Sequence, residues 1–117
     1  MNPMTCQAVE NMSAAIRETD EYQKYRLLRE MVMEDETNRA LLKEYQKAQT
    51  ALQMAAMTGK EADEETVQRF SKLSGLLYMN QDVAQYLLAQ MHLQKLMGEV
   101  FQELTKAANL DLELPGI

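Results

Sequence analysis

The sequence predicts an all-α protein, an antiparallel bundle of about five helices that contains a long helical hairpin and forms a dimer. Apolar residues recur three and four positions apart and almost never alternate, which is the helical period. Four Gly and two Pro in 117 residues supply too few turns for an all-β sandwich. With 46% apolar residues, the length suits one helical domain, which we expect at 1–110. A flexible tail is expected at 111–117, where Pro and Gly occur together.

Two short amphipathic helices are predicted at the start of the chain. The first follows Pro3 and carries Val9, Met12 and Ile16 on one face. Thr19 is expected to cap the second, because its hydroxyl can accept a backbone N–H bond and acids follow in the first turn. The apolar face of this helix comprises Tyr22, Tyr25, Leu28, Met31 and Val32.

The third and fourth helices are predicted to form the hairpin. Asp35 is the expected cap of the third helix, and Gly59 can end it in the left-handed conformation. Asp63 is expected to cap the fourth helix, so the connection is short and the two helices must run antiparallel. Steps of four and three, typical of a coiled-coil seam, join Leu41, Tyr45, Ala48, Leu52 and Ala55.

The fifth helix, capped by Asn80, carries more apolar surface than one subunit can bury. Ten Met residues suit adaptable contacts, so we expect a homodimer, or a hetero-oligomer with a paralogue, through the long helices. Gly75 and Gly98 are expected where another backbone passes close. The heptad-like seam comprises Val83, Tyr86, Gln90, Leu93, Met97, Val100, Leu104 and Ala107, and Ala84, Leu87, Leu88, Met91, Leu96 and Phe101 lie outside it.

Charge and composition argue against several classes of protein. The formal net charge of −6 argues against nucleic-acid binding, which needs a cationic surface. The single cysteine, Cys6, cannot form an intrachain disulfide, in keeping with a reducing compartment. No apolar run exceeds four residues, so neither a signal peptide nor membrane insertion is expected. These observations predict a cytoplasmic protein.

No catalytic, cofactor-binding or metal-ligating residue is predicted. His92 is the one histidine and lacks the Glu-x-x-His spacing of di-iron bundles. The sequence therefore lacks the further ligands that a zinc, haem or di-iron site needs. Gly59-Lys60 lacks the glycine spacing of a phosphate loop. The acids between Glu61 and Glu65 are interpreted as a capping run, because they lack the pattern of a calcium loop.

A stripe of three cations, Arg39, Lys43 and Lys47, is predicted on one face of the third helix, because the residues are four apart. One interpretation is a solvent face on which Glu36 and Glu44 pair with these bases. The other is a surface that docks an acidic protein or an RNA backbone, which makes an RNA-binding module the first alternative function.

Motifs spread from about Ala15 to Leu104 resemble the YlbF/YmcA family of small helical bacterial proteins. The segment 15–25, AIRETDEYQKY, is similar to the family opening A-I-x-x-S-x-E-Y-x-x-Y. Asp35, the LLKEY segment at 41–45 and Gln49 follow in the family order, and then the turn at 58–60. The segment 80–90, NQDVAQYLLAQ, resembles N-P-x-V-x-x-Y-L-x-A-E, with Gln81 in place of Pro and Gln90 in place of Glu.

This resemblance implies an all-helical, dimer-forming regulator without catalytic residues. Members of the family act with a third protein on a membrane-associated endoribonuclease of the ribonuclease Y type. Through it they affect mRNA maturation and, in spore-formers, competence, biofilm formation and sporulation. Some are associated with an iron–sulfur cluster held by cysteines, but Cys6 alone cannot supply the usual four thiolates, so no cofactor is expected.

We therefore expect a non-enzymatic regulatory adaptor that acts through protein–protein contacts of its helix faces. Three alternatives remain: the RNA-binding module, a purely structural homodimer, and an enzyme whose site is assembled by the fold. The expected contact residues are Tyr45, Leu52, Leu87, Met91 and Met97, with Arg39, Lys43 and Lys47 as a secondary polar face.

Overall fold

A computed structural model describes residues 1–111, which contain five α-helices and no strand. The predicted all-α class and the number of helices are confirmed for this part of the chain. Of the expected tail at 111–117, all but Asp111 lies outside the described residues. The helices are α1 Pro3–Arg17, α2 Asp20–Glu34, α3 Glu36–Met57, α4 Glu64–Tyr78 and α5 Gln81–Ala107.

Local side-chain caps set the starts of the helices. The four predicted caps are confirmed, because each accepts a backbone N–H bond of 3.0 to 3.3 Å from the following turn. These acceptors are Thr19, Asp35, Asp63 and Asn80. The sequence analysis missed one cap: Asn2 Oδ1 accepts from the Thr5 N–H at 2.8 Å and starts α1.

The described chain divides into two compact units. Unit 1 comprises Met1–Leu27 and the chain from Leu87 onward, and so contains α1, the start of α2 and most of α5. Unit 2 is Leu28–Tyr86, with the end of α2, all of α3 and α4, and the first turns of α5.

The α3–α4 hairpin is the centre of unit 2, as predicted. Gly59 has a φ of 71°, and the Lys60 N–H reaches back to the Ala55 carbonyl oxygen at 3.0 Å, which ends α3 in a Schellman-type turn. The hairpin then brings α4 back along α3, and the two helices pack together. The buried side chains of unit 2 are Val32, Leu42, Tyr45, Ala48, Leu77, Val83 and Tyr86.

Tyr45 anchors the packing between the two helices of the hairpin. Its ring stacks on Phe70 with the centroids 5.0 Å apart and the planes inclined by 20°. Burial raises the pKa of the Tyr45 phenol, the neighbouring Tyr78 phenol raises it further, and a hydrogen bond with Ser74 opposes both effects. The neutral phenol is therefore the form that suits the hairpin interior.

A pair of side-chain amides connects the start of α3 to the turn before α5. Asn80 Nδ2 donates to Asn38 Oδ1 at 2.9 Å, while Asn80 Oδ1 accepts from the N–H groups of Asp82 and Val83. One side chain thus caps α5 and ties it to α3 within unit 2.

The expected close packing at Gly75 is wrong within the described chain. A Cβ atom placed on this residue would meet no heavy atom within 4 Å, so no neighbouring backbone requires a glycine there. The helical period identified the position as part of α4 but carried no information about what lies opposite it.

We predict that Asn80→Ala lowers the free energy of unfolding by about 1–2 kcal/mol, because it removes the α5 cap and leaves Asn38 without its partner. Asn80→Asp keeps the cap acceptor but loses the amide donor, so its free energy of unfolding should lie between those of the wild type and Asn80→Ala. Urea unfolding followed by circular dichroism measures the change. Gln81→Ala is the control, and an equal loss in Gln81→Ala would contradict the role given to Asn80.

We predict that Tyr45 makes the fold sensitive to alkaline pH. The folded protein holds the phenol proton more tightly than the unfolded chain, in which Tyr ionises near pH 10, so the free energy of unfolding falls as the pH rises above about 10. The fall continues until the pH reaches the raised pKa of the folded state. Denaturant unfolding of the wild type and of Tyr45→Phe between about pH 8 and pH 11 checks this. The wild-type curve should fall more steeply, and parallel curves would show that Tyr45 does not contribute.

Candidate interaction surfaces

The eight contact residues expected from the sequence fall into three environments. Tyr45 and Leu87 are buried, at 8% and 5% exposure, and therefore serve the interior of the chain. Leu52 is partly buried on α3. Met91 and Met97 are well exposed on α5, and the three cations of the stripe, Arg39, Lys43 and Lys47, are exposed on α3.

The apolar seam of α5 passes from interior to surface along one helix. Its first members, Val83 and Tyr86, are fully buried. Further along the same face Met97 and Leu104 are 46% and 53% exposed, although their heptad spacing places them in line with the buried residues. An apolar helix face that extends past the buried interior of the chain into solvent is typical of a contact surface.

A second apolar face of α5 carries Leu88 and Met91, both exposed. At about 100° of rotation per residue, Met91 lies roughly 120° around the helix from Met97. The two faces are therefore separate surfaces, and covering the seam would leave Leu88 and Met91 accessible.

Helix α1 presents a third apolar face. Val9 and Met12 are exposed and Ile16 is partly buried, on the single face that their spacing predicts. No residue of α1 is buried. The helix is thus amphipathic, but its apolar side has little cover among the described residues.

The cation stripe is not the salt-bridged face that one interpretation expected. Glu44 pairs with Arg69 of α4, across the hairpin, and not with a base of the stripe. Within residues 1–111, Arg39, Lys43 and Lys47 form no ion pair with a carboxylate, and Glu36 forms none either. Arg39 instead donates from Nη1 to the Met33 carbonyl oxygen at 3.3 Å. The expected pairing of Glu36 and Glu44 with the stripe is wrong for this part of the chain.

A shallow groove of about 220 Å³ lies between α3 and α4 in unit 2, at the end of the stripe. Ala48 and Ala51 give it an apolar part of its lining, and its polar groups come from both helices. The six lining residues are Glu44, Lys47, Ala48, Ala51, Thr66 and Arg69. Sequence reasoning missed Arg69 and Thr66, because only the hairpin brings them to α3.

The other groove described here, in unit 1, contains His92. It has a volume of about 240 Å³, and its charged groups are all solvent-exposed. Catalytic groups usually lie partly withdrawn from water, whereas the charged groups of this groove are exposed. Cys6 lies exposed on α1 and does not line it. The lining residues are Glu21, His92, Lys95, Leu96 and Glu99.

No group of three or more His, Cys, Asp or Glu side chains in residues 1–111 is arranged to hold a metal ion. In the same part of the chain, no helix combines the length and hydropathy needed to cross a membrane.

Solved structures share this fold, including the following two. A DUF964 protein of unknown function from Bacillus stearothermophilus has a TM-score of 0.75 and 21% identity, covering 92% of this chain and 94% of that one. A chain in the crystal structure of Bacillus subtilis RicA in complex with RicF has a TM-score of 0.61 and 20% identity, covering 92% and 96%.

Curated relatives and a family model match most of the sequence. A UPF0342 protein of Halothermothrix orenii is 27% identical over 103 residues, 88% of this chain and 84% of that protein. Another, from Bacillus velezensis, is 28% identical over 93 residues, 80% of each chain. The model of the family described as control of competence regulator ComK, YlbF/YmcA, matches residues 6–109. The resemblance found in the motifs is thereby confirmed, and the chain belongs to the YlbF/YmcA family.

Proposed function

We propose that this protein is a non-enzymatic regulatory adaptor of the bacterial cytoplasm, which acts by binding other proteins through its helix faces. The observation that carries the proposal is the α5 seam, which is buried at Tyr86 and about half exposed at Met97 and Leu104. Membership of a family described by its control of the competence regulator ComK, and the likeness to a chain of the RicA–RicF complex, support the same role.

The first partner we propose for the seam is a second copy of this chain or a paralogue. Covering the exposed half of a Met or Leu side chain contributes about 1 kcal/mol, since full burial contributes about 1.5–3 kcal/mol. Eight such side chains in a pair give about 8 kcal/mol, which is similar to the cost of association, about 4–15 kcal/mol. Association therefore needs all of this surface and tolerates no buried charge. The four residues from each copy are Met97 and Leu104 of the seam together with Val9 and Met12 of the separate α1 face, which we propose the same partner also covers.

The second face of α5 supports the adaptor role itself. An adaptor must hold two proteins at once, and Leu88 and Met91 stay accessible when the seam is covered, because they lie on another side of the helix. We propose that this face contacts the regulated machinery. The family role makes a ribonuclease Y-type complex that matures mRNA the first candidate, with competence, biofilm formation or sporulation as the processes affected.

We predict that Leu104→Lys or Met97→Lys weakens association at least about 100-fold, because an unpaired charge buried in the interface costs several kcal/mol. Multi-angle light scattering across a dilution series measures this, starting from a wild-type mass that is a multiple of 13.4 kDa. Met79→Lys is the matched control, since Met79 is 86% exposed in the turn before α5. A wild-type mass of 13.4 kDa at every concentration would contradict self-association.

The regulatory part of the proposal is tested in the native host. Deleting the gene should change the 5′ ends of ribonuclease Y-dependent transcripts, and the wild type and Met79→Lys should restore them, whereas Met91→Lys should not. Restoration by Met91→Lys would exclude the second face of α5 as the contact with this machinery. An unchanged transcript pattern after deletion would exclude the ribonuclease link.

A further inference from the structure

We propose that the cation stripe of α3, together with the groove at its end, docks an acidic helical segment of a partner protein. This inference rests on the proposed adaptor function, but it concerns a different surface, on unit 2. The juxtaposition that carries it is three exposed cations in line, Arg39, Lys43 and Lys47, leading into a groove that Arg69 also lines.

The spacing of the stripe matches that of carboxylates on another helix. Residues four apart on an α-helix are about 6 Å apart along its axis, so the stripe extends over about 12 Å. Glu or Asp residues at i, i+4 and i+8 of a partner helix repeat the same distance. A helix laid along α3 can therefore place one carboxylate beside each of the three cations.

The cations of the stripe have no carboxylate partner within residues 1–111, although the protein is rich in acids. The chain carries 18 Asp and Glu against 12 Lys and Arg, yet none of the acids in residues 1–111 pairs with Arg39, Lys43 or Lys47. Glu44, the acid placed between them in the sequence, is held by Arg69 instead. The result is a local cationic surface on an anionic protein, and its electrostatic complement is a group of carboxylates.

The groove gives the last carboxylate a defined place. Lys47 and Arg69 stand on its two sides, and Glu44 neutralises only one of these charges, so the groove keeps a net positive charge. The side chain of Arg69 remains 60% exposed, which leaves guanidinium N–H groups free to donate. Ala48 and Ala51 offer apolar contacts to the methylene groups of a Glu side chain, and the Thr66 hydroxyl is a further donor.

The chemistry of this surface favours a protein over RNA. Neither the stripe nor the residues lining the groove include an aromatic side chain on which a base could stack. Three cations over about 12 Å neutralise few phosphates, and the net charge of −6 repels a long polyanion. Exposed ion pairs contribute about 0.2–1 kcal/mol each, so the docking is weak, depends on salt and adds to the apolar contacts.

The test is an NMR titration of the full-length ¹⁵N-labelled protein with three probes. The first is an Ala-rich helical peptide with Glu at i, i+4 and i+8, the second has the same composition with the Glu spacing scrambled, and the third is a single-stranded RNA of similar length. We expect the first peptide to shift the amides of α3 and of α4 around the groove. Its dissociation constant should rise at least about tenfold between about 50 mM and about 300 mM salt.

Two triple variants with the same change of net charge provide the matched comparison. The variant that combines Arg39→Gln, Lys43→Gln and Lys47→Gln should abolish the shifts. The control variant changes three exposed lysines outside the stripe and should leave the shifts intact; it combines Lys24→Gln, Lys72→Gln and Lys95→Gln. Lys43→Glu should no longer bind the first peptide, but it should bind a version of that peptide in which Lys replaces the central Glu. This charge swap separates docking from any loss of folding.

Four outcomes would overturn the inference: no shifts with the first peptide at millimolar concentration, equal binding of the scrambled peptide, equal loss in the two triple variants, or tighter binding of the RNA. The last would assign the stripe to nucleic acid. The light-scattering mass is independent of the stripe, so a failure here leaves the apolar association standing, and a failure of association leaves this titration interpretable.

Discussion

Burial of apolar side chains along α5 decides which of them form the interior of this protein and which form exposed apolar surface. The helix keeps one apolar register from Val83 to Leu104, but only its first turns lie within the buried core of unit 2. One periodic seam thus contains both the buried Tyr86 and the half-exposed Met97.

The surface electrostatics follow from a second constraint, the geometry of the hairpin. The turn at Gly59 returns α4 along α3, and this places Arg69 beside Glu44, 25 residues away in sequence. A carboxylate that could have joined the stripe is thereby occupied, and the stripe keeps its positive charge. Local helix spacing favoured one set of ion pairs, and the tertiary fold selected another.

The sequence predicted well whatever depends on neighbours within about four residues. The caps at Thr19, Asp35, Asp63 and Asn80, and the left-handed Gly59, could be located because a cap is a contact between a side chain and the next turn of backbone. The family could be identified for the same reason, since its motifs are short helical patterns in a fixed order.

What the sequence could not predict depends on residues far apart in the chain. The Asn38–Asn80 bridge joins positions 42 apart, and the Tyr45–Phe70 stack joins the two arms of the hairpin. The expected contact residue Tyr45 is buried for the same reason, because α4, which is distant in the sequence, packs over it. Its position in the seam was correct, but periodicity identifies an apolar face without saying what covers it.

The exposed state of α1 has a consequence for how this segment folds. A helix of 15 residues with no buried side chain is near the lower limit of length for stability in water, even with a good cap at Asn2. The helical form of this segment is then stabilised by any molecule that covers Val9 and Met12. Order in the first 17 residues would rise and fall with occupancy of that face, so that the amino-terminal segment reports whether the protein is assembled or alone.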